Sequence, residues 1–221
     1  MKAVAIDGPA GAGKSTLARS LAAHLGYIYL DTGALYRAIG YKLITNNISC
    51  DDEKAVSNVL KDTKVSIDFS NGEQIVLLDG VNVNSKIRTP EVSMMASKCS
   101  ALKTVREFLL EMQRSIAKNN AVVMDGRDIG TVVLPEAEVK IFLTASPEAR
   151  AERRYKELIE KGKTVSLDEV LEDIKKRDFN DTTREIAPLK PAENSVIVDT
   201  TDLSLEESLE ELKKQVQKIL G

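Results

Sequence analysis

The run Gly8-Pro9-Ala10-Gly11-Ala12-Gly13-Lys14-Ser15, followed by Thr16, has the spacing G-x-x-x-x-G-K-[ST]. Glycines in such a turn let consecutive backbone N–H groups face phosphate oxygens, and the helix that follows adds partial positive charge at its N-terminus. Lys14 can then reach the β- and γ-phosphates of a nucleoside triphosphate, and the Ser15 hydroxyl can ligate Mg2+. Gly8 to Thr16 is therefore the candidate ATP cradle, a P-loop. Dinucleotide binding is the competing chemistry, because Asp31 stands about 20 residues downstream, where a ribose-binding acid would lie. Gly11-Ala12-Gly13 continues as Lys14-Ser15-Thr16, however, so the third glycine of G-x-G-x-x-G is absent, and the lysine suits phosphate rather than hydride chemistry.

Phosphoryl transfer is mostly positioning and charge neutralisation, so the remaining charged residues should reveal the acceptor. An alcohol acceptor needs a base. A phosphate monoester, with a second pKa near 6, is already an ionised nucleophile at neutral pH. It needs arginines, which hold phosphate bidentately and keep their charge. Arginines follow the predicted strand ends: Arg37 in Asp31-Thr32-Gly33-Ala34-Leu35-Tyr36-Arg37, Arg127 in Asp125-Gly126-Arg127-Asp128, then Arg150, Arg153 and Arg154, and finally Arg177 and Arg184. On a helix starting near Pro147, Arg150, Arg153 and Arg154 share one face, so three guanidinium groups are expected to project together. A solvated helix face with internal ion pairs is the bland reading of those three. Asp125 ends an apolar run as a Walker-B acid does and is the acid expected to approach Mg2+ through water; capping a helix is its alternative role. No N-K-x-D guanine-reading motif is present, and His24 stands alone on the first helix, without partner ligands, and reads as structural.

These residues must be carried by strands and helices. Apolar runs suited to buried parallel strands occur at Ala3-Val4-Ala5-Ile6, Tyr27-Ile28-Tyr29-Leu30, Ala121-Val122-Val123-Met124, Val139-Lys140-Ile141-Phe142-Leu143 and Ser195-Val196-Ile197-Val198, with helical patterns between them. Such alternation is α/β, with ligands gathered beyond the carboxyl ends of the strands. Ser146-Pro147 marks a helix start, and Ser166 to Glu169 and Ser204 to Glu207 read as capping boxes. Asn71-Gly72 between two apolar runs predicts a hairpin, so residues 63–92 form a small antiparallel insertion, followed by a mostly helical region from Glu91 to Lys118.

Composition bounds the class. The 221 residues, 43% hydrophobic and 29% charged, suit one core domain with an insertion. A net charge of −3 argues against a general nucleic-acid binder, and 4% aromatics without Trp argue against a stacking platform for single strands. Cys50 and Cys99 lack metal or disulfide-scaffold spacing and read as free thiols. The absence of a leader-like segment at Met1 or an 18-residue apolar run leads to the expectation of a cytoplasmic protein without membrane attachment.

Taken together, Gly8 to Thr16, the Asp31 to Arg37 segment, Asp125-Gly126-Arg127-Asp128-Ile129-Gly130-Thr131-Val132-Val133, and Ile174 to Asp178 continuing to Arg184-Glu185-Ile186-Ala187-Pro188-Leu189 resemble bacterial cytidylate kinases across essentially the whole chain. The resemblance implies a P-loop NTPase fold with a five-stranded parallel sheet, helices on both faces, a small antiparallel β insertion and a mobile helical lid. It divides the chain into a core (1–40, 93–145 and 185–221), an acceptor-binding insertion (about 41–92) and a lid (about 146–184). It implies that Ser97, Arg106 and Asp128 read the cytosine edge, that Arg177 and Asp181 hold the ribose, and that Arg37, Arg127 and Arg184 bind the acceptor phosphate with Thr32 close by. Arg150, Arg153 and Arg154 would close on the ATP phosphates. The expected reaction is ATP- and Mg2+-dependent phosphorylation of CMP and dCMP by a monomer, without nucleic-acid polymer partners. Two rivals stay open on the residues alone: a P-loop kinase for a small metabolite alcohol, with Asp31 as base, and a nucleotide-switched binding protein.

Overall fold

The computed structural model describes residues 2–70 and 72–221. Its centre is a five-stranded sheet in the order β2-β6-β1-β7-β8, every neighbouring pair parallel. The strands are β1 (Ala3–Asp7), β2 (Ile28–Asp31), β6 (Val122–Gly126), β7 (Val139–Thr144) and β8 (Val196–Asp199). Each corresponds to an expected apolar run, yet each extends one or two residues further toward its carboxyl end. The added residues are polar or glycine, and they pair in register all the same: Asp31 opposite Asp125, Asp7 opposite Gly126, Thr144 opposite Asp199. Backbone pairing continues where the apolar pattern stops, which brings carboxylates directly to the ligand edge.

The alternation of side chains divides the sheet residues between two layers. Val4, Ile6, Val123, Ile141 and Leu143 pack with Leu17, Ala18 and Leu21 of α1 (Lys14–Leu25) and with Leu212 and Val216 of α8 (Leu205–Leu220). Ala3, Ala5, Leu30, Val122 and Met124 pack on the opposite face, with Ala117 of α5 (Lys103–Asn119). Leu21 is wholly buried, so truncating it to Ala would cost about 2–5 kcal/mol. Helix α1 stops at Gly26, which adopts φ 68° and donates to the carbonyls of Ala22 and Ala23. His24, in the last turn of α1, is exposed and belongs to no core cluster.

Helix α2 (Thr32–Thr45) leaves the sheet edge and continues without a break past residue 41 into the insertion. There follow α3 (Glu53–Lys61) and a three-stranded antiparallel sheet of β3 (Val65–Ser70), β4 (Glu73–Leu78) and β5 (Val81–Asn82). Ser70 pairs with Glu73, as a two-residue hairpin loop requires; Gly72 has φ 76°, and Asn71 of the expected turn lies outside the described residues. The anticipated helical stretch is two helices, α4 (Pro90–Cys99) and α5. Helices α2 and α4 meet closely at Gly40, where a Cβ would lie 3.0 Å from the amide nitrogen of Ala96. This interface belongs to a second core that includes Leu35, Ile39, Leu43, Val76, Val92 and Leu109. Cys50 and Cys99 are free thiols, and both are buried.

Helices α6 (Pro147–Glu160) and α7 (Leu167–Thr183) form a pair around a small cluster of Ala151, Val170 and Ile174. Ser146 caps α6 by accepting from the Ala149 amide, and both predicted capping boxes form, Ser166 with Glu169 and Ser204 with Glu207. One element was not anticipated. The segment Ile129–Val133 after β6 is a π-helical turn, in which Val133 N–H donates to Asp128 O and Leu134 N–H donates to Ile129 O. Among the described residues no helix is long and apolar enough to cross a membrane.

Candidate active site

The phosphate loop leaves β1 at Gly8, whose φ is 152° and where a Cβ would stand 1.9 Å from the carbonyl oxygen of Leu143 on β7. Only glycine fits there. The loop delivers Lys14 into a buried position in which Nζ donates to Pro9 O at 2.6 Å. Burial, followed by the charge of Arg127, pulls the Lys14 ammonium down to about 7, while Asp125, Asp181 and Asp7 act in the opposite direction. Anionic phosphates beside Lys14 favour its charged form.

Ser15, in the first turn of α1, donates from Oγ to Asp125 Oδ2 at 3.0 Å; Tyr29 Oη donates to the other oxygen, Oδ1, at 2.8 Å. Burial and neighbouring Asp31 push the Asp125 carboxyl up to about 6, opposed by Lys14 and by the hydroxyls of Tyr29 and Ser15. The two residues expected at Mg2+ are therefore adjacent, and their oxygen-only chemistry fits an ion that takes one or two protein oxygens and completes its shell with water and phosphate. Asp125 is not a helix cap. Thr32 Oγ1 donates to Asp125 O at 2.8 Å, and Asp31 caps α2 by accepting from the Ala34 amide at 2.9 Å.

A second group of charges lies beside the first. Asp128, buried at the turn after β6, is paired with Arg106 of α5 and, at 3.5 Å, with Arg184. Arg184 also donates to Ala187 O at 2.8 Å and to Ser100 Oγ at 3.4 Å, while Ser100 Oγ donates to Ser97 O at 2.9 Å. Ser97 thus enters the cluster through its carbonyl. Arg127 Nε pairs with Asp181 at 2.7 Å, and Arg37 pairs with Asp31 at 2.7 Å. The Nε of Arg177 is buried without a partner among the described residues, and burial together with Arg154 and Arg127 pulls its pKa down. Guanidinium groups come from four separate parts of the chain, and Arg127 is close enough to Lys14 to bear on its charge.

The helix after Pro147 requires a correction. Its three arginines do not project together. Arg150 is 3% exposed and donates to Ala145 O, to Ala10 O of the phosphate loop at 3.0 Å, and to both carboxylate oxygens of Asp178 on α7. Arg153 turns the other way, to the carbonyls of Thr200, Thr201 and Leu203 beyond β8. Arg154 pairs with Glu157 on its own helix at 2.7 Å. Spacing places three residues on one side of a helix; it does not fix where side chains of this length end, because buried carbonyls and a carboxylate compete for them.

Sequence reasoning missed Asp7, Tyr29 and Asp178. Asp7 is 3% exposed, and its two oxygens accept from the amides of Ile129 at 2.7 Å and Gly130 at 2.8 Å, holding the π-helical turn next to Asp128. An acid ending a buried strand was the available signal, the same one that identified Asp125. Nothing in the sequence pointed to Tyr29.

A parallel sheet with the loop around Lys14 at its edge, and arginines gathered beyond the strand ends, defines a P-loop kinase. The chain matches the family described as cytidylate kinase over residues 4–218. It is 54% identical to the cytidylate kinase of Caldicellulosiruptor bescii over 98% of this chain and 96% of that one, and 54% identical to that of Carboxydothermus hydrogenoformans over 95% and 94%. The chain belongs to the cytidylate kinase family. Among solved structures, an uncharacterised protein from Eubacterium ventriosum superposes with a TM-score of 0.52 at 12% identity, covering 97% of this chain and 98% of that chain, a likeness of fold alone.

Proposed function

We propose that this protein transfers the γ-phosphoryl group of ATP in line to CMP and dCMP. The observation that carries this reading is the cluster of Arg106, Asp128 and Arg184 lying beside Arg127–Asp181, next to the lysine of the phosphate loop. The loop amides and Lys14 hold the donor phosphates. Ser15 and, by way of water, Asp125 would hold Mg2+, whose positive charge would offset that of the donor phosphates. Arg37, Arg127 and Arg184 hold the acceptor phosphate, which attacks without a base because it is already ionised. Asp128, flanked by arginines, accepts from the exocyclic amine of cytosine, whereas a uracil carbonyl there would meet it acceptor to acceptor. Ser97 and Arg106 complete the base edge, and Arg177 and Asp181 hold the ribose. Arg177, with its unpartnered Nε, is suited to a ligand oxygen. Arg154 is the arginine of α6 with least to release before it reaches the donor, having only a partly exposed partner within its own helix. Arg150 and Arg153 would first have to exchange buried carbonyl partners.

The alcohol-kinase reading is not favoured, since the carboxylate it needs as base, Asp31, is engaged by the Ala34 amide and by Arg37. We further place the protein in the cytoplasm as a monomer that binds no nucleic-acid polymer, consistent with its free buried thiols and acidic balance. A coupled ADP-release assay across CMP, UMP, AMP, GMP, their deoxy forms and a panel of alcohols tests the proposal. CMP and dCMP should be good acceptors, UMP poorer and AMP very poor. Comparable turnover of all four ribonucleotides, or preference for an alcohol, refutes it.

A further inference from the structure

Strand β2 is at the margin of the main sheet and among the described residues pairs only with β6, which leaves the N–H and C=O of Asp31 facing away from any parallel neighbour. Both groups are satisfied by one side chain. The carboxamide of Gln74, on β4 of the insertion, accepts from Asp31 N–H at 2.8 Å and donates to Asp31 O at 3.1 Å. A primary amide offers the same donor and acceptor as a peptide unit, so Gln74 stands in for one residue of an absent strand. Gln74 is itself held in place: Asn84 Nδ2 donates to its carbonyl at 2.7 Å, and Asn84 Oδ1 accepts from Val76 N–H at 2.9 Å. From Asp31 the connection continues to Arg37, which its carboxylate holds at 2.7 Å while also capping α2.

We infer that Gln74 is a positioning residue for the acceptor: it fastens the antiparallel insertion to the backbone of Asp31 and so sets the carboxylate that aims Arg37. This inference rests on the reading that Arg37 binds the acceptor phosphate. It differs from a role in stability alone, because the amide bonds to the residue beside the acceptor cluster and, among the described residues, makes no hydrogen bond to the phosphate loop. Gln74 is only partly buried, so substitution leaves the core intact.

The test uses Gln74→Met, Arg37→Met and the double variant of the full chain, with KM measured separately for CMP and ATP and exchange of the Asp31 amide followed by NMR. Gln74→Met should raise the CMP KM about ten-fold, on the scale of one or two net hydrogen bonds, leave the ATP KM within about two-fold, and speed Asp31 exchange about ten-fold. In the Arg37→Met background the same substitution should add less than about two-fold, because its effect passes through Arg37. Unchanged Asp31 exchange, an unchanged CMP KM, equal rises in both KM values, or full additivity with Arg37→Met would each overturn the inference. If Arg37→Met alone leaves the CMP KM unchanged, the acceptor-site reading fails first and the inference with it; if Arg37→Met raises it and Gln74→Met does not, only the inference fails.

Discussion

Replacing Asp128 with Asn tests base recognition with little change in volume. Asp128 is 4% exposed and lies between Arg106 and Arg184, so solvent does little to replace a lost acceptor. If its carboxylate accepts from the cytosine amine, Asn presents an N–H2 to that amine or must flip to offer its single oxygen. Leaving one buried polar group unpaired, or misreading one base edge, costs about 1–3 kcal/mol, which corresponds to roughly 5- to 150-fold in kcat/KM for CMP. The same Asn can donate to the uracil carbonyl, so UMP should lose less or gain. Weakening the two arginine pairs will lower activity toward both nucleotides, and that general loss cancels in the ratio. The decisive quantity is therefore CMP kcat/KM divided by UMP kcat/KM, from initial rates of ADP release at saturating ATP, on protein shown by circular dichroism to be folded. The ratio should fall by at least about five-fold. A ratio within about two-fold of the parent's would refute the placement of Asp128 on the cytosine edge.

Arg150→Met removes the bonds from α6 to Ala10, Ala145 and Asp178. Because Asp178 keeps some solvent contact, the loss of stability should be about 3 kcal/mol, the lower end of what breaking a buried pair costs, measured by urea unfolding. The ATP KM should rise more than the CMP KM, since the freed carbonyl belongs to the phosphate loop; equal rises would argue against this. Asp7 supplies a pH signature. Burial, partly offset by the Gly130 and Ile129 amides, raises its carboxyl from the ordinary 3.8 to about 6. Between those values the native state holds a proton that the unfolded chain has released, so this group's contribution to stability declines as pH rises from about 4 to about 6, by about 3 kcal/mol in all. Unfolding of Asp7→Asn across that interval should lack this decline, and a slope matching the parent's would show that Asp7 is not the group responsible.

Much of this was legible in the residues, for identifiable reasons. The strands of the sheet are apolar runs, the helix starts carry serine caps with Pro or Glu at the right offsets, and Gly8 to Ser15 has a spacing with few other uses. Those signals are local. Apolar pattern alone stops short of the strands' carboxyl ends, because Asp7, Asp31 and Asp125 break it while keeping their backbone pairing. The π-helical turn was hidden because the amides at its start, Ile129 and Gly130, are held by Asp7, more than 120 residues away in sequence. The divergence of Arg150 and Arg153 from Arg154 depended on partners outside α6, in the phosphate loop, α7 and the segment beyond β8, which periodicity along one helix does not reveal. Gln74 carries no motif at all; it becomes meaningful only when a sheet margin is brought opposite it.

The anchoring of Arg150 and Arg153 also limits how the helical cover can move. One ties the first turn of α6 to the nucleotide loop, and the other ties the next turn to the segment leading into α8, so both turns are bolted to the core from two directions. A closing motion that began at Pro147 would have to break those buried bonds or drag the loop out of register with its phosphates. A pivot for such a motion would therefore have to lie beyond Arg153, and the arm left to swing would be short: the far half of α6, the connection from Lys161 to Val165, and α7 as far as the hold of Arg150 on its Asp178 allows.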